Sequence, residues 1–165
     1  MIPDWQIRTE LLIGEASLKK FAESNVLVAG LGGVGAYAAE QLARAGIGKL
    51  TLVDGDTIQP SNRNRQLLAL KSSEGQDKTQ LMAERLRDIN PEIELRLIHD
   101  FIKDDKTENL LEEPFDYVID AIDSLSPKVY LLAQALQKGH KVVSSMGAGG
   151  KLDPSQIAIA DISKT

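Results

Sequence analysis

The sequence predicts a doubly wound α/β domain, a mostly parallel sheet with helices on both faces. Three observations predict it. Short aliphatic segments that read as buried strands alternate with segments of helical period. One of these strands runs directly into a glycine-rich turn that opens a helix, Gly30-Leu31-Gly32-Gly33-Val34-Gly35. Aromatic residues make up 4% of the 165 residues while hydrophobic residues make up 42%, so the core must be aliphatic, as in parallel sheets of Val, Leu and Ile.

The elements follow in order. Asn25 to Ala29 (NVLVA) reads as a buried strand, and a small-residue helix runs from the glycine turn to near Gly46. Lys49 to Asp54 is a second strand. Gly55 to Gly75 has no clean period and is expected to be a long crossover holding a short helix. Asp77 to Asn90 is a helix with Met82, Leu86 and Ile89 on one face, stopped by Asn90-Pro91. Ile93 to Ile98 is a third strand, Asp104 to Leu111 a short helix, and Phe115 to Asp120 a fourth strand. Pro127 to Lys138 is a helix expected to bury Val129, Leu132, Ala133 and Leu136. Lys141 to Ser145 is a fifth strand, Gly147 to Gly150 a turn, and Gln156 to Asp161 is a candidate for one more strand.

Composition narrows the function. The chain contains no cysteine, which excludes disulfides, cysteine-ligated zinc and thioester chemistry by its own residues. Charged residues interrupt every apolar run below membrane-spanning length, and the N-terminus lacks signal-peptide features, so a cytoplasmic, non-membrane protein is expected. A net charge of -5 argues against a broad nucleic-acid-binding face on this segment. The expected organisation is one domain over residues 1–165, cut short at its C-terminus, because no closing helix follows Asp161.

The glycine turn carries the first chemistry. In G-x-G-x-x-G, Gly30 allows the tight turn, Gly32 lets the backbone approach a phosphate, and Gly35 lets the helix pack close to the strand. The helix start adds free N–H groups and a positive dipole end. Asp54 lies 19 residues beyond Gly35, at the end of the second strand, where a carboxylate can accept from ribose hydroxyls. This much fits a nicotinamide dinucleotide and ATP equally.

The following segment favours ATP. Asn62-Arg63-Asn64-Arg65 places two arginines and two asparagines in four residues. A triphosphate needs more cations than a pyrophosphate held by a glycine loop, and Arg65 can grip phosphate oxygens bidentately. Asn62 and Arg65 are read as functional, whereas Arg63 and Asn64 are as well read as solvated. Lys78 opens a helix against the dipole, at a cost of a few tenths of a kcal/mol, roughly, which points to an anion beside it. Asp120 and Asp123 end the fourth strand, which flanks the switch point with the first. A carboxylate beside a triphosphate acts through Mg²⁺, and Asp123, further into the loop, is the expected ligand. Asp120 is expected to cap the strand or support its neighbour. His99 and His140 are expected at the surface.

Together, GLGGVG, Asp54, NRNRQ, Gly75-x-x-Lys78 and the Asp123 turn resemble the ubiquitin-activating enzyme superfamily in its bacterial ThiF/MoeB/HesA branch. Leu12-Ile13-Gly14-Glu15, Val118 to Ser124 with Pro127-Lys128, and Gly147 to Pro154 are most similar to the tRNA threonylcarbamoyladenosine dehydratases of that branch. The resemblance implies nucleotide binding by Gly30, Gly32, Gly33, Gly35, Asp54, Asp56, Asn62, Arg65 and Lys78. It implies catalysis by Arg65, Lys78, Asp123 and Arg8, with Asp123 on Mg²⁺ and Arg8 lent to the neighbouring subunit of a homodimer. The implied reaction is ATP-dependent adenylation of the threonyl carboxylate of threonylcarbamoyladenosine in ANN-decoding tRNA, followed by cyclising dehydration. A cysteine desulfurase or sulfur-acceptor partner follows by the same analogy. Adenylation of the C-terminus of a ubiquitin-like sulfur carrier is the alternative. An NAD oxidoreductase and a non-catalytic nucleotide-sensing domain are more distant readings.

Overall fold

The computed structural model describes residues 2–147, 149, 150 and 152–164. Ala148 and Lys151, in and beside the expected glycine turn, lie outside the described residues, whereas Gly149 and Gly150 are in a turn.

Five parallel strands form one sheet in the order β3-β2-β1-β4-β5. They are β1 (Asn25–Ala29), β2 (Lys49–Val53), β3 (Glu94–Ile98), β4 (Tyr117–Asp120) and β5 (Val142–Ser144). The sheet is therefore wholly parallel, and β1 and β4 sit side by side at the reversal of strand order, as expected. Residues of β1 alternate between two cores. Val26 and Val28 face α3 (Gly35–Ala45) and α4 (Lys78–Ile89), while Leu27 and Ala29 face α5 (Asp104–Leu110) and α6 (Leu125–Gln137). Ala36, Ala39 and Ala43 have no exposed surface, so small side chains let α3 lie close to the sheet.

Two helices precede the sheet, α1 (Ile7–Ile13) and α2 (Glu15–Glu23), separated by Gly14 at φ 79°. The crossover from β2 to α4 holds two 3₁₀ turns, Pro60–Asn62 and Lys71–Ser73, and is anchored by buried Ile58, Leu68 and Ala69.

Three expectations are corrected. The stretch 156–161 is no sixth strand: a 3₁₀ turn at Pro154–Gln156 precedes exposed chain that pairs with no strand among the described residues. Helix α6 turns a different face inward, burying Lys128, Leu131 and Ala135, while Val129 and Leu136 are each 55% exposed and Ala133 is exposed. His140 is not a surface residue. Its ring is half buried, with Nε2 2.9 Å from the Leu111 carbonyl and Nδ1 3.3 Å from that of Phe115. His99 is exposed, as expected.

An ion-pair network joins the outer edges of α3 and α4. Buried Glu40 accepts from Arg85 Nε at 2.5 Å and Arg44 Nε at 2.8 Å. The hydrogen bond from Arg85, with help from Arg44, holds the Glu40 carboxyl below its ordinary value of 4.5 against the opposing effect of burial. A depressed carboxylate stabilises the fold above its unfolded pKa and loses that contribution as pH falls through the folded value. Glu40→Gln is expected to cost about 1 kcal/mol at neutral pH, since both arginines are half exposed and screened. In urea melts the gap from the parent protein closes as pH drops below 4.5.

Candidate nucleotide site

The carboxyl ends of the strands open into a cleft of about 1220 Å³, larger than a single drug-sized ligand requires. The glycine loop forms its floor. Gly30 adopts φ 90°, and a Cβ there would lie 2.7 Å from the Ala121 carbonyl oxygen. A Cβ on Gly35 would overlap the Gly30 carbonyl. Gly32 and Gly33 differ: a Cβ on either meets nothing nearer than 3.8 Å and 3.5 Å, from Gln66 and Arg65 respectively. Their missing side chains leave a cradle between the loop and the Arg65-Gln66 segment, at the start of α3.

Asp54 directly follows β2 beside this cradle. Its Oδ2 accepts the Leu31 N–H at 2.6 Å and its Oδ1 the Asp56 N–H at 2.8 Å, so the acid fixes the glycine loop directly. Lys78, 4% exposed, places Nζ 3.0 Å from Asp56 Oδ2 and 3.8 Å from Asp54 Oδ1. The buried cation thus pairs across the crossover and not with its sequence neighbour Asp77. Asp77 instead lies 3.8 Å from His99.

The asparagine-arginine cluster divides. Asn62 and Arg65 line the cleft, whereas Arg63 and Asn64 are not among its lining residues. Asn62 Oδ1 accepts the Gln59 N–H at 3.0 Å, which tightens the 3₁₀ turn. Asn64 Oδ1 and the Ser61 carbonyl accept from Arg65 Nη1 at 2.9 and 3.2 Å, steering the guanidinium of an exposed side chain. Arg63 pairs with Glu74 at 3.5 Å.

Across the cleft, Asp123 is exposed, with the Ser124 hydroxyl 3.3 Å from its Oδ1. Among the described residues no group of three or more His, Cys, Asp or Glu could hold a metal alone. Asp123 is a single hard oxygen donor at the cleft, a kind of ligand suited to a cation such as Mg²⁺. Asp120 sits apart, fully buried behind the cleft wall. Arg8, on α1, is exposed and does not line the cleft of its own chain.

Several lining residues escaped the sequence reading. Gln66 is buried, and its Oε1 has no hydrogen-bond partner among the described residues. The segment Asp100 to Lys103 also lines the cleft, with Lys103 Nζ 5.6 Å from the centre of the Phe101 ring. A hydrogen bond from Lys106 holds the Asp100 carboxyl below the usual carboxylate range. Position after β3 was the available signal, since ligands in such sheets bind beyond the carboxyl ends.

A model of the ThiF family matches residues 5–161. The chain is 45% identical over 157 residues to the tRNA threonylcarbamoyladenosine dehydratase of Escherichia coli K12, covering 95% of this chain and 59% of that protein. It is 46% identical over 158 residues to the Bacillus subtilis enzyme of the same name, covering 96% of this chain and 62% of the other. The chain thus spans about three fifths of the length of these relatives. The crystal structure of the E. coli tRNA N6-threonylcarbamoyladenosine dehydratase in complex with ATP superposes with a TM-score of 0.94 at 44% identity, covering all of this chain and 70% of that one.

Proposed function

This chain belongs to the ThiF family, and we propose that it is the nucleotide-binding part of an enzyme that adenylates the threonyl carboxylate of threonylcarbamoyladenosine in tRNA and then closes it to the cyclic form. The observation that carries the reading is the convergence of the glycine cradle, buried Lys78, Arg65 and Asp123 on one cleft, in a chain similar over its whole length to a tRNA N6-threonylcarbamoyladenosine dehydratase crystallised with ATP. Asp54 is the residue proposed to hold the ribose, with Asp56 beside it on the cleft wall, and the glycine loop Gly30, Gly32, Gly33 and Gly35 is proposed to take the phosphates, with open space at Gly32 and Gly33. Asn62 shapes the turn that presents Arg65.

In this mechanism the carboxylate attacks the α-phosphate of ATP, and pyrophosphate departs. Arg65 and Lys78 offset the charge that builds on the phosphates, in positions already set before substrate arrives. Asp123 would hold Mg²⁺, which when bound supplies further charge neutralisation on the triphosphate. The carbamoyl oxygen of the same nucleoside then attacks the activated carbonyl and closes a ring. AMP leaves with the former carboxylate oxygen, and a proton is released. The net change is loss of one water from the nucleoside. Intramolecular attack needs no enzyme thiol, which suits a chain without cysteine.

We further propose that the protein acts in the cytoplasm as a homodimer. Arg8, exposed on α1 and outside its own cleft, is the residue proposed to reach the partner's ATP. Among the described residues no helix is long and apolar enough to cross a membrane. The net charge of -5 leaves the basic path for tRNA to other parts of the assembled enzyme, and a sulfur-transfer partner belongs to the same reading.

Arg65→Ala tests the nucleotide assignment by calorimetry. Losing a bidentate charged contact is expected to weaken Mg·ATP binding by about 1.5–3 kcal/mol, with an unchanged melting temperature because the side chain is exposed. Unchanged affinity would remove Arg65 from the site.

A further inference from the structure

Asp123 is not held by its own contacts. It is exposed, and among the described residues its side chain has one hydrogen bond, from the Ser124 hydroxyl, so its place follows the backbone of the turn from Ala121 to Ser124. What fixes that turn lies behind it. The buried Asp120 carboxylate accepts the Ile122 N–H on Oδ1 at 3.1 Å. Its Oδ2 accepts from Lys128 Nζ at 2.5 Å and from Ser144 Oγ at 2.6 Å. Lys128 is 5% exposed, and its backbone N–H binds the Ser124 carbonyl at 3.2 Å. Ser144 Oγ in turn accepts the Met146 N–H at 3.0 Å.

The three donors come from three segments that line the cleft: the Asp123 turn, the start of α6 and the exit of β5. Met146 on that exit has φ 55°, the only positive φ at a non-glycine among the described residues. Such a conformation persists only where its surroundings hold it. Ala121, on the same turn, abuts the glycine loop at Gly30. A buried ion pair is a weak source of net stability, because desolvation offsets the attraction. Converging donors on one carboxylate do fix geometry.

We propose that buried Asp120 and Lys128, with partly buried Ser144, form a clamp that positions the Asp123 turn and the Met146 lip against the glycine loop. Asp120 and Lys128 are positioning residues and not catalytic ones. The inference rests on the metal role proposed above for Asp123.

The test uses the full-length protein as Ser144→Ala, as Asp120→Asn, and as the neutral pair Asp120→Asn with Lys128→Met. Two quantities are read: amide hydrogen exchange at 121–124 and 145–147 without nucleotide, and the Mn²⁺ concentration that half-saturates the ATP-bound protein, by electron paramagnetic resonance. Folded variants are expected to exchange faster in both segments and to need about tenfold more Mn²⁺, with metal-free ATP affinity kept within about twofold. Lys128→Arg, which keeps a cation for Asp120, is expected to stay closer to the parent than Lys128→Met. Should the Asp120 variants not fold, Ser144→Ala decides, because it removes one arm and leaves the ion pair. Folded variants that melt lower but keep parental exchange and Mn²⁺ dependence would overturn the clamp alone. A parent protein whose ATP binding ignores Mn²⁺ would overturn the metal reading, and the clamp's role with it.

Discussion

Lys78→Met is expected to slow adenylate formation, followed as ATP–pyrophosphate exchange, by about 10²–10³-fold. Lys78 opens α4 with almost no exposed surface, its Nζ between Asp54 and Asp56 at the edge of the phosphate cradle. A cation there is aimed before substrate binds, so it loses little to reorganisation when charge shifts toward the departing pyrophosphate. Methionine keeps the length and apolar stem but leaves two neighbouring carboxylates without their cation. Some loss of stability therefore accompanies the kinetic loss, and the two are separated by measuring exchange on protein verified as folded by its melting curve. Turnover within about threefold of the parent would assign Lys78 to structure alone, because transition-state contacts are worth far more.

The second large effect contrasts two glycines of one loop. Gly35→Ala places a Cβ against the Gly30 carbonyl and 3.0 Å from the Ala121 side chain, where the helix start packs on the strand. Backbone must shift, and a destabilisation of about 1–3 kcal/mol or more is expected, with nucleotide binding lost as a consequence. Gly32→Ala meets nothing closer than 3.8 Å, so its melting temperature should match the parent. Its methyl instead occupies the cradle that the phosphates would enter, and ATP affinity should fall by about tenfold or more as backbone approach is blocked. Thermal melts and calorimetry on the two variants separate folding from binding. Parental ATP affinity in Gly32→Ala would show that the phosphates lie elsewhere.

The parts of the fold most legible in the sequence were those specified locally. NVLVA, the glycine turn and the Ala-rich helix each carry their own signal, and all lie where expected. So did the membership of the cleft, for Asp54, Asn62, Arg65, Lys78 and Asp123. Helix α6 was misread for a definite reason. Val129, Leu132, Ala133 and Leu136 repeat at helical spacing, but Asp120 on β4 draws Lys128 into the interior, and the helix turns with it. A charge buried by a partner eight residues away in sequence is invisible to hydrophobic period. The sixth strand expected over 156–161 is absent for the complementary reason, since a strand needs a neighbour to pair with and none lies beside it among the described residues. Gln66 was overlooked because burial of an unpaired amide oxygen is a property of the packed crossover and leaves no local pattern.

The most direct test of the proposed reaction combines the full-length protein, tRNA bearing threonylcarbamoyladenosine, and Mg·ATP, followed by mass spectrometry of the released nucleosides. The predicted result is a nucleoside lighter by one water, formed with stoichiometric AMP and pyrophosphate and absent in Asp123→Ala. An unchanged nucleoside would contradict the proposed reaction. If ATP nevertheless exchanged with pyrophosphate in the presence of a sulfur-carrier C-terminus, the adenylating cleft would stand and its acyl acceptor would be a protein.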